Sequence, residues 1–155
     1  MTKSAYSSVD FSQVSSELTS DKVDHLIHKS VISGTGKESA GISDERRHLV
    51  RLVDLPSKVL SVTLGGLNPN QATRKHRHNY ETIIYIISGI GKSIIEEQEV
   101  NWEEGDAVYI PVWAWHQHIN LSDVDDVLYV ACENAPHLLN LGIALREEAK
   151  NPAVE

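Results

Sequence analysis

One cysteine, Cys132, stands in a chain of 155 residues. That scarcity excludes an intrachain disulfide and a thiolate-cluster zinc site. Basic residues are also short, with 14 Lys and Arg against 22 Asp and Glu and a net charge of −8 with histidine neutral. A chain without a cationic excess cannot release counterions from a phosphate backbone or cling to an anionic bilayer surface. No nucleic-acid partner and no membrane contact are therefore expected. No run approaches the ~18 apolar residues that a transmembrane helix requires. Residues 1–8 lack the apolar centre of a secretory signal. Together these absences predict a cytoplasmic protein, and the length predicts one domain with one core.

Histidine, in contrast, is plentiful: there are eight. Residues 1–20 are serine-rich and polar, and read as an arm. From Ser20 onward, Val23, Leu26, Ile27 and Val31 fall on one stripe, which predicts a helix before Gly34. After Arg47 the texture changes to short segments rich in Val, Ile, Leu, Tyr and Thr, broken by Gly, Asn, Asp and Pro. Strands are predicted near 47–54, 58–65, 72–78, 81–88, 91–96, 99–103, 107–111, 115–120 and 126–133. Many short strands without intervening helices indicate an all-β antiparallel sandwich or barrel. Ser88-Gly89-Ile90-Gly91 reads as a hairpin turn. Pro136 opens a last helix whose Leu138, Leu141 and Leu145 share a face. The expected divisions are an arm with one helix over 1–46, a barrel over 47–135, and a helix and tail over 136–155.

The chemistry concentrates in two places. In His76-Arg77-His78, side chains at i and i+2 of a strand point the same way, about 7 Å apart along the chain. An antiparallel neighbour carrying His116, from Trp113-Ala114-Trp115-His116-Gln117-His118, can bring a third imidazole opposite the pair. Three neutral nitrogens suit iron, nickel, copper or zinc better than magnesium or calcium. The competing role for a lone His-x-His is surface decoration.

The run from His76 to Gly89 resembles the first motif of the cupin superfamily. Gly105, Pro111, His116 and Asn120 meet the Gly-x5-Pro-x4-His-x3-Asn spacing of its second. The resemblance implies a double-stranded β-helix (jelly-roll) barrel with short N- and C-terminal helical segments and a metal in its mouth. Two positions depart from the family pattern. Asn70 stands where the first motif has glycine. Thr82, not Glu81, holds the place of the motif's metal-binding glutamate. A bulge would return Glu81 to the inner face; otherwise the site has three histidines and no carboxylate. That version is similar to the gentisate dioxygenases, two-barrel ring-cleaving enzymes with histidine-only iron sites. The resemblance implies His76, His78 and His116 as ligands of a divalent metal, Fe(II) foremost, with zinc, manganese or nickel as alternatives.

Around these ligands, His118 shares the parity of His116 and is a candidate to relay a proton or touch substrate. Glu81, Thr82, Trp113 and Trp115 are pocket candidates, although core packing beneath the lip is the stronger claim on the tryptophans. Arg77 should point away from its histidine neighbours, and Cys132 reads as a small buried hydrophobe. The expected partner is a small-molecule substrate, and the apolar stripes of the arms predict a homodimer. The function expected first is a non-haem iron dioxygenase for a small anionic aromatic or dicarbonyl substrate. A metal-dependent isomerase, lyase or decarboxylase, or a non-catalytic small-ligand binder, are the alternatives.

Overall fold

The computed structural model describes residues 19–33, 42–43 and 48–150. Eleven strands and one α-helix follow one another: β1 (Ile42–Ser43), β2 (His48–Leu52), β3 (Ser61–Leu67), β4 (His76–His78), β5 (Thr82–Ser88), β6 (Ile90–Ile95), β7 (Gln98–Glu103), β8 (Ala107–Ile110), β9 (His116–Asn120), β10 (Val127–Glu133), α1 (Ala135–Asn140) and β11 (Arg146–Glu148). They form a six-stranded sheet in the order β1-β2-β3-β10-β5-β8 and a five-stranded sheet in the order β11-β4-β9-β6-β7. The pairings are antiparallel, so the all-β expectation holds and the two sheets enclose one interior. No helix among the described residues is long and apolar enough to cross a membrane.

Alternation along the strands decides what that interior contains. On β5, Thr82, Ile84 and Ile86 are buried whereas Ile83, Tyr85 and Ile87 are exposed. Leu67, Ile84, Ile86, Trp102, Val108, Ile110, Val127, Tyr129 and Ala131 join into a core. Each large side chain there contributes about 1.5–3 kcal/mol by leaving water.

Four local expectations are corrected. The Ser88–Ile90 connection is not a hairpin: β5 and β6 lie in different sheets, and Gly89 with φ +94° turns the corner between them. A Cβ at that glycine would meet Val127 Cγ2 at 2.7 Å and the Asp126 carbonyl at 2.9 Å, so both its dihedral and its bareness are required. The helix expected from Ser20 does not form; residues 19–33 hold only a 3-10 turn, Val31–Ser33. Its apolar stripe finds no surface, with Leu26 75% and Ile27 61% exposed, and an unpacked helix of that length does not repay its nucleation. Instead the Asp54 amide donates to His28 Nδ1.

At the other end, α1 is shorter than its leucine spacing suggests. Gly142, at φ +73°, ends it, with Ile143 N–H donating to the Leu138 carbonyl and Gly142 N–H to that of Leu139. Leu145 therefore lies outside the helix, and the chain continues into β11. Cys132, finally, is exposed rather than buried, because it falls on the outward parity of β10. Residues 1–18, 34–41, 44–47 and 151–155 lie outside the described part, together with most of the arm and the end of the tail.

Candidate metal centre

His76 and His116 are direct Cα partners across the β4–β9 pair. Alternation then puts His78 on the same face, and all three rings are buried. Their ligand atoms lie within 4.8 Å of one another. Each ring makes the same local contact. His76 Nδ1 is 2.8 Å from the Arg74 carbonyl, His78 Nδ1 is 2.8 Å from that of Tyr80, and His116 Nδ1 is 2.9 Å from that of Ala114. A carbonyl only accepts, so Nδ1 carries the proton and Nε2 keeps its lone pair in all three. His78 is further clamped by the Tyr80 ring, stacked on it at 3.9 Å.

Burial also holds these rings neutral. It pushes His76 down to about 2, with neighbouring His116 and Arg146 adding to the effect. Burial likewise brings His78 to about 4 and lowers His116. Three neutral imidazoles with oriented, converging lone pairs are what a divalent transition metal requires. The donor set therefore fits such an ion, and without a carboxylate it leaves the ion's charge uncompensated.

His118 is buried beside them and differs in kind. Its Nδ1 is 2.8 Å from Ser93 Oγ, which also accepts from Trp102 Nε1 at 2.9 Å. Ser93 is fully buried. With the Ser93 hydroxyl donating to His118 Nδ1, the direction open to it once Trp102 has filled one lone pair, the His118 proton sits on Nε2. The ring thus presents a donor rather than a lone pair. Burial drives its pKa down to about 3, with His116 and His48 assisting.

A small cavity of about 50 Å³ opens at this end of the barrel. His48, His76, His78, His116 and His118 line it, together with Thr73, Thr82, Ile84, Tyr129, Glu133 and Arg146. Among the four pocket candidates, Thr82 is on its wall, where its hydroxyl donates to Glu133 Oε1 at 3.3 Å. Glu81 is exposed and accepts from the Tyr109 hydroxyl at 2.9 Å. The strand keeps regular alternation from Thr82, so no bulge turns Glu81 inward.

Trp113 and Trp115 also lie elsewhere. Both rings sit 4.5 Å from the Arg77 guanidinium on the outer face, and Arg77 additionally pairs with Glu147. Trp113 adopts φ +64°, and its amide donates to the His78 carbonyl at 2.7 Å, fastening the loop before His116 against β4. Asn120 serves the fold: its amide group bonds the carbonyls of Leu67, Asn68 and Asp125.

His48 and Arg146 escaped the sequence reading. His48 opens β2 with no second histidine two residues away in the sequence, and only the fold carries it to the cavity. Arg146 sits in a charged triplet that reads as the end of a helix.

A family profile described as "Cupin domain" matches residues 64–132, the span from β3 to β10 that holds the three ligand candidates. The chain carries a cupin domain. Among curated relatives, the 5-aminosalicylate 1,2-dioxygenase of Comamonas sp is 36% identical over 83 residues, covering 54% of this chain and 21% of that protein. Gentisate 1,2 dioxygenase 1 of Aquipseudomonas alcaligenes is 30% identical over 71 residues, 43% of this chain and 20% of that one. Among solved structures, the salicylate 1,2-dioxygenase of Pseudaminobacter salicylatoxidans superposes with TM-score 0.61 at 19% identity, over 72% of this chain and 34% of that chain. A cupin 2 conserved barrel domain protein from Rhodopseudomonas palustris gives TM-score 0.52 at 21% identity, over 58% and 62%. The chain spans about a fifth of the length of these curated relatives. The structural likeness shows the fold.

Proposed function

We propose that His76, His78 and His116 of this cupin hold a divalent metal ion, iron(II) foremost, and that the protein is a dioxygenase. Its substrate is then a small anionic aromatic or dicarbonyl compound. One observation carries the reading: three buried imidazoles, all with Nδ1 committed to backbone carbonyls, offer ligand atoms to a single position. The similarity to proteins named as 1,2-dioxygenases supports the reaction class.

When bound, the ion supplies a common site at which substrate oxygens and dioxygen exchange electrons. The chain's own groups prepare that site. The neutral ligand set favours an anionic oxygen over water, because nothing in it offsets the ion's charge. His118 Nε2–H supplies a hydrogen-bond donor on the wall, held in that tautomer by Ser93. Ile84 and Tyr129 close the wall against bulk water. The enclosed volume fits an ion and a few waters, so an aromatic ring would occupy the mouth with only its oxygens inside.

The deciding experiment loads the protein anaerobically with iron(II) and measures oxygen uptake with gentisate, salicylates, catechols and β-diketones. Uptake with one of these, lost in His76→Ala, is the expected result. No uptake with any of them removes the dioxygenase reading. Turnover without oxygen would instead indicate Lewis-acid isomerase, lyase or decarboxylase chemistry with zinc, manganese or nickel.

We also place the protein in the cytoplasm, as a homodimer acting on a small molecule. The outer face of β5 and β8, where Ile83, Tyr85 and Tyr109 are each half exposed, supports pairing with a second copy. Light scattering at micromolar concentration should give twice the chain mass, and a monomer mass would refute the pairing.

A further inference from the structure

The family match ends at residue 132, and the segment beyond it brings a charge to the site. Past Gly142, Asn79 takes hold of the backbone: its side-chain amide donates to the Ile143 carbonyl, and its oxygen accepts from Leu145 N–H. The chain is thereby laid along β4 as β11, with Arg146 opposite His78 and Glu148 opposite His76. Directly opposed residues of paired strands share a face, so Arg146 and Glu148 join the histidines. Glu147 faces outward to Arg77.

Among the described residues, Arg146 is the one Lys or Arg on the cavity wall. Paired directly across from His78, it lines the same cavity as all three histidines. A guanidinium has five N–H donors. Nε and Nη2 both go to Glu148 Oε1, at 3.0 and 2.8 Å, and Nη1 reaches the Tyr80 hydroxyl at 3.5 Å. This grip orients the group by one edge and leaves two Nη hydrogens for a ligand. The side chain is 27% exposed, so these donors border the mouth, where the ring of a substrate would have to lie.

We propose that Arg146 is the anion anchor of the cavity, receiving the carboxylate of a small aromatic or keto acid whose second oxygen faces His76, His78 and His116. The proposal rests on the metal-site reading given above. It adds the residue that selects the carboxylate, and that residue lies outside the span of the family match. A planar fork matches a carboxylate in a way that an ammonium does not, so lysine is a poor replacement. Glu148 is a positioning residue in this arrangement.

The test is calorimetric titration of the full chain loaded with zinc, a redox-inert ion that prevents turnover, using salicylate and catechol as probes. Wild type is expected to bind salicylate more tightly than catechol. Arg146→Met should weaken salicylate at least tenfold, about 1.4 kcal/mol, while changing catechol less than twofold and leaving the zinc content intact. Equal losses for both probes, no loss for salicylate, or a wild type that does not prefer salicylate overturns the anchor. Should the methionine variant fail to fold, Arg146→Lys decides: a three- to tenfold loss for salicylate alone is expected, and unchanged affinity refutes the proposal. Oxygen uptake is not read here, so the two readings fail separately. Arg146-dependent salicylate binding without oxygen consumption keeps the anchor and removes the dioxygenase. Oxygen consumption with catechol, indifferent to Arg146→Met, does the reverse.

Discussion

The two ends of the barrel interior share three strands and differ in nearly every physical respect. At one end Leu67, Ile86, Trp102, Val108, Ile110 and Val127 pack into an apolar core. At the other, five histidines and an arginine line a cavity. Strands β3, β5 and β10 contribute to both, whereas β7 and β8 serve the core and β2, β4, β9 and β11 the cavity. What changes is the identity of successive inward residues, as from Ile86 and Ile84 to Thr82 along β5. The apolar end supplies the free energy that lets the polar end be dry. Desolvated imidazoles cost stability and give nothing back until they bind something.

Damage to each end should therefore read out differently. Replacing His116 with Ala is expected to cut metal affinity by more than ~100-fold, beyond what loss of an outer-shell partner costs. Far-UV circular dichroism should stay native, and elemental analysis would show the loss. Ile86→Ala does the opposite: a buried aliphatic truncation costs about 2–5 kcal/mol, readable by urea unfolding, while the folded fraction keeps its metal. If either variant gave the other's phenotype, the division between the ends would be wrong.

Acid should act on the histidine end alone. The folded-state pKa values of His76, His78, His116 and His118 lie below the ordinary value of 6.5, mainly through burial. Below pH 6.5 the unfolded chain takes up protons that the folded chain refuses. Stability should thus be complete above about 6.5 and fall as pH drops toward about 4, the value for His78. Metal loading should delay that fall. Denaturation midpoints that stay flat from pH 7 to 5 in the metal-free protein would refute this.

Smaller effects sharpen the boundary. Ser93 joins the two ends, linking Trp102 of the core to His118 of the cavity. Ser93→Ala strands two buried polar groups and should cost about 1–3 kcal/mol. It also releases the His118 tautomer, detectable as a changed imidazole nitrogen shift by NMR, with metal content preserved. Outside the barrel, Trp113→Ala removes one of two rings over Arg77 and should cost at most ~1 kcal/mol of cation–π energy, with metal affinity little changed. A large loss of affinity would mean that the loop before His116 depends on that stack.

Much of this was legible before any coordinates. Nine barrel strands and the grouping of His76, His78 and His116 follow from two-residue alternation and motif spacing, because a half-buried strand writes its inward face directly into the chain. The misses have equally local causes. β1 and β11 are two and three residues long, too short for a periodicity to register. The stripe from Val23 to Val31 has helical spacing, but spacing does not supply a surface to pack against. Trp113 and Trp115 sit beside a ligand in sequence, and alternation together with a positive-φ turn sends their rings outward to Arg77.

By itself the sequence determined the inward alternation and the same-face placement of His76 and His78, since these depend on neighbours within one strand. The tertiary structure alone decided that His48 and Arg146 enter the cavity, that Glu81 stays outside it and that Ser93 meets His118 Nδ1. Those facts depend on pairing between distant strands, and no short stretch of chain records which strand will lie beside it.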